Sequence, residues 1–316
     1  MTEVEALTTL LADARRSAVD AAAVGKIDAL QSRLSGPVRV ALVGRANAGK
    51  STLLNALIGE RLAATDASEC TRFVTAFEHA ESYRASSAGR ELGFTRAEDG
   101  PLDIRVEGLN AAADSLVVGW PSRRLEHMTL IDTPGLDALA PRGGDPLEQT
   151  DFADAYLYLM RNVHRADVRF LESFVAAGAQ LGSPVNSLAI LSRADEIGGG
   201  RLDGLESARR IAARDGADPR LRALASAVLP VVGLLAESAA TLRENEARAL
   251  EELARTDDQT RAMLLLSVDD FCDTSLSPVT AEIRVALLRR FALFGVRTAI
   301  AAYRDGRWSN GTALAR

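Results

Sequence analysis

Residues 44–51 read GRANAGKS, with Gly44, four residues, then Gly49, Lys50 and Ser51. Between a strand and a helix, this spacing turns backbone N–H groups inward around phosphate oxygens, and the helix start adds partial positive charge. In that cradle Gly49 lets the main chain approach closely, and Gly44, Asn47, Ala48 and Thr52 complete the wall. Lys50 reaches the β- and γ-phosphates, and the Ser51 hydroxyl binds Mg²⁺. The implied ligand is a magnesium-bound nucleoside triphosphate.

Two further motifs narrow the nucleotide. MTLIDTPG (128–135) ends an apolar strand in Asp132-Thr133-Pro134-Gly135. Asp132 is placed to hold Mg²⁺ through a water, and the Gly135 N–H to sense a γ-phosphate. Ser192-Arg193-Ala194-Asp195 follows another strand end, where doubly wound sheets bind ligands. A carboxylate at Asp195 accepts both N–H donors on one edge of guanine. Adenine presents an acceptor there, a mismatch of ~1–3 kcal/mol per unpaired group. Arg193 stands where a lysine packs along the base, and its planar guanidinium can stack there too. Gly233, after Val231-Val232, offers backbone contacts to the base. The predicted substrate and product are therefore GTP and GDP, with Mg²⁺. A threonine must complete the magnesium shell, and 64–75 offers Thr65, Thr71 and Thr75. Thr71, just before the strand FVTAF, is the choice; Arg72 beside it reads as a solvent-facing strand residue.

The elements that position these residues are legible as apolar runs. VRVALVG (38–44) is a buried parallel-type strand, and STLLNALIG (51–59) returns as a helix. Further strands are expected near 72–80, 102–107, 115–120, 128–135, 155–160, 187–192 and 229–233, with helices at 165–178 and 203–214. The alternation predicts an α/β fold, a doubly wound, mostly parallel P-loop sheet. Residues 2–34 read as one long helix started by a Thr2/Glu5 capping box and bent at Gly25. After the last strand, 235–255, 258–275 and 279–304 are helical in pattern. The domain reading is an N-terminal bundle helix (1–36), a nucleotide domain (37–235) and C-terminal helices (236–316), both chain ends forming one bundle.

Bulk properties set limits. The 316 residues are 47% apolar and 25% charged, an ordinary globular balance. A net charge of −6 argues against a nucleic-acid partner. Of 37 basic residues only Lys26 and Lys50 are lysine, so a lysine within the phosphate motif stands out from the background. Cys70 and Cys272 read as reduced thiols in a cytoplasmic protein. The N-terminus lacks the features of a signal peptide, and no apolar run reaches the ~20 residues of a spanning helix. His79, His127 and His164 have no metal-ligand spacing, and Trp120 and Trp308 read as packing residues.

In this order the motifs are those of P-loop GTPases. GRANAGKSTLLNALIGE, TDASECTRFVTAFEH, SRADEIGGGR, LLSVDDF and RRFALFGVR together resemble the isoniazid-inducible dynamin-like GTPases of actinobacteria, over most of the chain. The resemblance implies a GTPase head on a helical bundle, hydrolysing GTP to GDP and phosphate. Heads would pair as a transient homodimer or heterodimer, and the work would be done on membranes, at the inner face of the plasma membrane. It assigns Lys50, Ser51, Thr71, Asp132 and Asp195 the roles given above. Leu136 stands where Ras-type GTPases carry a water-orienting Gln, as expected of dynamin-like heads. Ala46 stands where dynamins carry a Gln, which makes Asn47 a candidate donor to the β–γ bridging oxygen. The catalytic set is then Lys50, Ser51, Thr71 and Asn47. Such proteins run further than this chain, so an incomplete stalk is expected.

Arg290, Arg297 and Arg304 recur every seven residues, which puts them on one helical stripe. That stripe could lie on an anionic bilayer or be the solvated face of a bundle helix. Two other readings compete with the dynamin-like one: a ribosome- or tRNA-associated switch of the Era/TrmE-like kind, and a guanine-nucleotide scaffold with little hydrolysis.

Overall fold

The computed structural model describes residues 2–64, 72–96, 100–111, 114–135, 153–161, 184–273 and 277–307, with Val168, Glu172 and Ser275. Thr65, Cys70, Thr71, Leu136, His164, Trp308 and, apart from Val168 and Glu172, the helix expected at 165–178 lie outside these residues.

The N-terminal segment is two helices rather than one. α1 (Glu3–Ser17) starts at the predicted box: Glu5 N–H donates to Thr2 Oγ1 (3.2 Å) and Thr2 N–H to Glu5 Oε2 (2.7 Å). The chain turns extended at Ala18, and Asp20 caps α2 (Ala21–Ser35) by accepting from Ala22 N–H. The break therefore lies at an Asp N-cap, a strong start signal, and Gly25 sits undisturbed inside α2. The two helices pack on each other with an Arg15–Asp28 ion pair, and neither buries a residue.

The nucleotide domain alternates β1 (Val38–Gly44), α3 (Lys50–Ile58), β2 (Val74–His79), β3 (Arg84–Ser87), β4 (Arg90–Glu91), β5 (Phe94–Arg96), β6 (Leu102–Ile104), β7 (Ser115–Trp120), β8 (Met128–Asp132), β9 (Ala155–Met160), β10 (Ser187–Leu191), α4 (Gly204–Gly216), α5 (Pro219–Arg222) and β11 (Ala227–Pro230). The sheet order is β11-β10-β9-β1-β8-β2-β7-β3-β4, with β5 and β6 as a separate ribbon. Strands β11 through β8 are parallel; β2 meets β8 antiparallel, and β3 meets β7 the same way. The expected α/β, mostly parallel sheet is what forms. Strands β3, β4 and β5 escaped the sequence reading because they are short, polar and partly exposed. The last strand ends at Pro230, before the expected 229–233 segment is complete.

The C-terminal stretch is α6 (Gly233–Ala240), α7 (Glu244–Arg255), α8 (Asp258–Leu264), α9 (Val268–Asp273) and α10 (Ala281–Arg304). Two expected helices are each split: Arg243 N–H donates to Glu246 Oε2 at the start of α7, and Ser267 Oγ accepts from Asp270 N–H at the start of α9. Helices α6 to α10 share a core of Leu250, Leu253, Phe271, Leu287, Phe291 and Ile300, among others. Among the described residues, none of 2–36 contributes to this or any other buried cluster.

Two of the three stripe arginines on α10, Arg290 and Arg297, are turned onto protein, and Arg304 is exposed. Arg290 pairs with Glu246 at 2.9 Å, both side chains only 10% exposed, and donates to the Thr241 carbonyl. Arg297 donates to the carbonyls of Leu265, Leu266 and Gly200, and Arg304 pairs with Asp258. Heptad spacing located the stripe correctly, but the packing of α10 among its neighbours decides what it faces. Among the described residues no helix is long and apolar enough to cross a membrane. Trp120 is a packing residue as expected, buried with its indole N–H on Glu60.

Candidate nucleotide site

β1 lies between β8 and β9, so three loops leave the same edge of the sheet: 45–49 after β1, 133–135 after β8 and 192–196 after β10. The first is a tight turn in which Ala48 N–H donates to the Arg45 carbonyl and Asn47 takes φ 59°. Gly49, at φ 91°, caps α3, whose first residue is Lys50. The Lys50 ammonium is buried and donates to the carbonyls of Gly44 and Arg45, both at 3.1 Å. It is thereby folded back over the loop mouth, where the backbone N–H groups of the helix start also converge.

Ser51 and Asp132 meet here across 81 residues of sequence: Ser51 Oγ donates to Asp132 Oδ2 at 2.8 Å. The other carboxylate oxygen, Asp132 Oδ1, is buried and has no hydrogen-bond partner among the described residues. Burial pushes the Asp132 carboxyl above its ordinary range, opposed by the Ser51 hydrogen bond and the charge of Lys50. A buried oxygen without a donor is costly in the ligand-free fold, and a hard divalent cation seeks oxygens of this kind. The Ser51 hydroxyl and Asp132 thus fit Mg²⁺. Thr133 Oγ1 donates to the Leu42 carbonyl at 2.7 Å and pins this loop to β1. A side chain at Gly135 would come within 2.8 Å of the Ala46 backbone, so glycine is what lets the two loops touch. Thr75, the alternative magnesium-shell threonine, is buried on β2 opposite Asp132 in the register, with a 3.5 Å hydrogen bond to the Phe73 carbonyl.

Beside the phosphate loop lies a cavity of about 190 Å³ lined by Ala48, Gly49, Thr52, Leu53, Asp195 and Gly233, among others. Asp195 sits in the short turn Ala194–Glu196, and Ala194 N–H donates to the Val231 carbonyl. Burial raises the Asp195 carboxyl above its ordinary range; its own backbone hydrogen bond opposes this, the Glu196 charge adds to it, and Arg193 opposes it. Arg193, at φ 52°, donates to the Asn47 carbonyl (3.0 Å) and to Glu196 Oε1 (2.8 Å). It clamps the base-side loop to the phosphate loop as well as lining the cavity.

Comparison with known proteins follows this geometry. Residues 40–173 match the Dynamin family. The isoniazid-induced protein IniC of Mycobacterium tuberculosis is 39% identical over 297 residues, covering 89% of this chain and 59% of that protein. A bacterial dynamin-like protein of Nostoc punctiforme is 26% identical over 159 residues, 44% of this chain and 23% of that one. Over residues 40–173 the chain is similar to the Dynamin family, and over most of its length it resembles IniC. It spans about 59% of the length of that relative. A solved structure described as an oligomerised bacterial dynamin pair aligns over 97% of this chain and 55% of its own, at TM-score 0.45 and 16% identity.

Of the residues read from sequence, the fold gathers Gly44, Asn47, Ala48, Gly49, Lys50, Ser51, Thr52, Asp132, Gly135, Arg193, Asp195 and Gly233 around one edge. Thr71 lies outside the described residues. Sequence reading missed Asn55, a fully buried hub on α3. Its Oδ1 accepts from Leu62 and Ala63 N–H, and its Nδ2 donates to the Ala63 carbonyl and to Glu237. Glu237 also accepts from Arg61, and burial raises its carboxyl above the ordinary range. A polar Asn inside the apolar helix LLNALI was the available signal, since Asn is a poor helix former unless its side chain has other work.

Proposed function

We propose that this chain binds GTP with Mg²⁺ and hydrolyses it to GDP and phosphate, as a dynamin-like GTPase. The observation that carries the reading is the Ser51–Asp132 pair with one buried carboxylate oxygen left without a donor, facing a lysine-bearing phosphate loop. Backbone N–H groups of 46–51 and the Lys50 ammonium neutralise phosphate charge, and Asp195 selects guanine. Ser51 and Asp132, with Thr71, hold Mg²⁺, which supplies charge neutralisation at the transferred phosphoryl group. Phosphoryl transfer depends mainly on such positioning and neutralisation. With no Gln beside Gly135, Thr71 and Asn47 are the groups left to orient water and the bridging oxygen.

Low basal turnover that rises as two heads pair follows from that sparse set, the partner being a second copy or a related chain. By resemblance to IniC, the output is membrane remodelling or maintenance at the inner face of the plasma membrane. Because Arg290 and Arg297 are spent inside the protein, contact with lipid falls to other surfaces.

The test is phosphate release from the purified chain with GTP or ATP, with and without Mg²⁺, across a wide series of protein concentrations. Release confined to GTP and Mg²⁺, with turnover per head rising with concentration, is expected. Equal release from ATP sinks the guanine reading, and a flat concentration profile removes head pairing.

A further inference from the structure

We infer that Arg297, on the C-terminal helix α10, is a positioning residue for guanine recognition: it fixes the loop that carries Asp195. The inference rests on the reading that Asp195 meets the base. That loop runs on through Gly198, Gly199 and Gly200, at φ 76°, 70° and 73°. Three successive glycines give up more backbone freedom on ordering than any other residues and have no side chain with which to anchor themselves. The anchor comes from outside the nucleotide domain.

Arg297 Nη1 donates to the Gly200 carbonyl at 2.6 Å. The rest of the same guanidinium is held by the Leu265 carbonyl, at 3.1 Å from Nε, and the Leu266 carbonyl, at 3.1 Å from Nη2. A planar fork with every partner a main-chain oxygen is a rigid fastener. It joins the base-side loop to the α8–α9 connection. Five residues earlier α10 is broken at Ala292, φ 48° and ψ 176°, and beyond that break the backbone comes close enough that a Cβ added at Gly200 would lie 3.9 Å from Phe294 N. Asp195 therefore sits between two arginine clasps: Arg193 to the phosphate loop on one side, and Arg297 to the helical unit on the other. The phosphate grip needs neither clasp for its own hydrogen bonds. Loosening Arg297 blurs the reading of the base and leaves the hold on phosphates in place.

The experiment measures GDP and inosine diphosphate affinity in the full chain; inosine lacks the exocyclic amine and so offers Asp195 one donor fewer. In Arg297→Ala, GDP affinity is expected to fall about tenfold, equivalent to one lost charged contact, with inosine diphosphate falling less. The preference for GDP therefore narrows. Gly200→Ala attacks the clasp from the loop side through its strained φ, and the same narrowing is expected. Arg297→Lys, which keeps the charge and one contact, should fall between. If the parent chain prefers GDP to inosine diphosphate and all three folded variants keep that preference, the inference is overturned while the GTPase reading stands. Lower thermal stability with preference intact likewise assigns Arg297 to packing alone. If the parent shows no guanine preference, the underlying reading of Asp195 has failed, and the inference with it.

Discussion

The two ends of the nucleotide site are built differently. The phosphate end is centred on one strand–loop–helix unit, 38–58, with its main-chain N–H groups and Lys50, and is completed by Asp132 and Gly135 at the end of β8. The base end is assembled from four separated segments, 48–53, Leu159, 190–196 and 231–234, and is steadied by Arg193 and Arg297. A local cradle holds any nucleotide by its phosphates. On the proposed reading a composite pocket chooses among bases, and Arg297 ties it to the C-terminal helices.

The largest expected effect breaks the phosphate end. Lys50→Ala removes the buried ammonium that donates to the Gly44 and Arg45 carbonyls, so turnover should fall about 10²–10³-fold, the usual consequence of deleting one transition-state donor. The loss should be the same for GTP and for inosine triphosphate. Single-turnover phosphate release checks it, and a loss confined to GTP would erase the distinction between the two ends.

Asn55→Ala strikes the same end through the fold. It would leave Leu62 and Ala63 N–H buried without their acceptor and Glu237 without one donor. Orphaned buried groups cost ~1–3 kcal/mol each, so a destabilisation of about 2–4 kcal/mol is expected in urea unfolding, with base preference unchanged. An effect under ~1 kcal/mol would mean that the 59–63 turn finds other partners.

Asp195→Asn probes the base end. Replacing an acceptor-only oxygen with an amide that donates should weaken GTP roughly ten- to hundredfold while sparing nucleotides whose base presents an acceptor there. Competitive binding of xanthosine and guanosine diphosphates measures it, with a crossover of preference expected.

The difference between the ends also explains what the sequence disclosed. GxxxxGKS, DTPG and SRAD were readable because each is a short run whose residue types answer a fixed chemical need at a strand end. The parallel sheet was readable from continuous apolar runs such as VALV and AYLYLM. Partnerships made across the fold were not readable. Heptad spacing found Arg290, Arg297 and Arg304, but only packing shows that they face Glu246, three carbonyls and Asp258. The N-terminal break was available in principle, since Asp20 is an N-cap residue type. The helical periodicity of Val4 to Ala21 runs through it, and pattern alone chose one helix over two.

The smallest expected effect comes from pH, and it reads both ends at once. Burial raises both Asp132 and Asp195 above the ordinary carboxylate range. For the ligand-free fold, a raised carboxyl gives stability that is present below its unfolded pKa and lost as pH rises through the folded one. Ligand binding has the opposite sign, because both roles need the charged form: Asp132 to hold Mg²⁺ and Asp195 to accept from guanine. Affinity should therefore fall on acidification, by at most about tenfold per pH unit for each group. The two carboxyls separate by subtraction. The Mg²⁺-dependent part of GDP affinity follows Asp132, and the ratio of GDP to inosine diphosphate follows Asp195. A titration from about pH 8 to about pH 5, repeated with Asp195→Asn, should abolish the pH dependence of that ratio and keep the pH dependence of the magnesium effect. If both vanish together, the ends titrate as one unit, and the local cradle is not independent of the composite pocket.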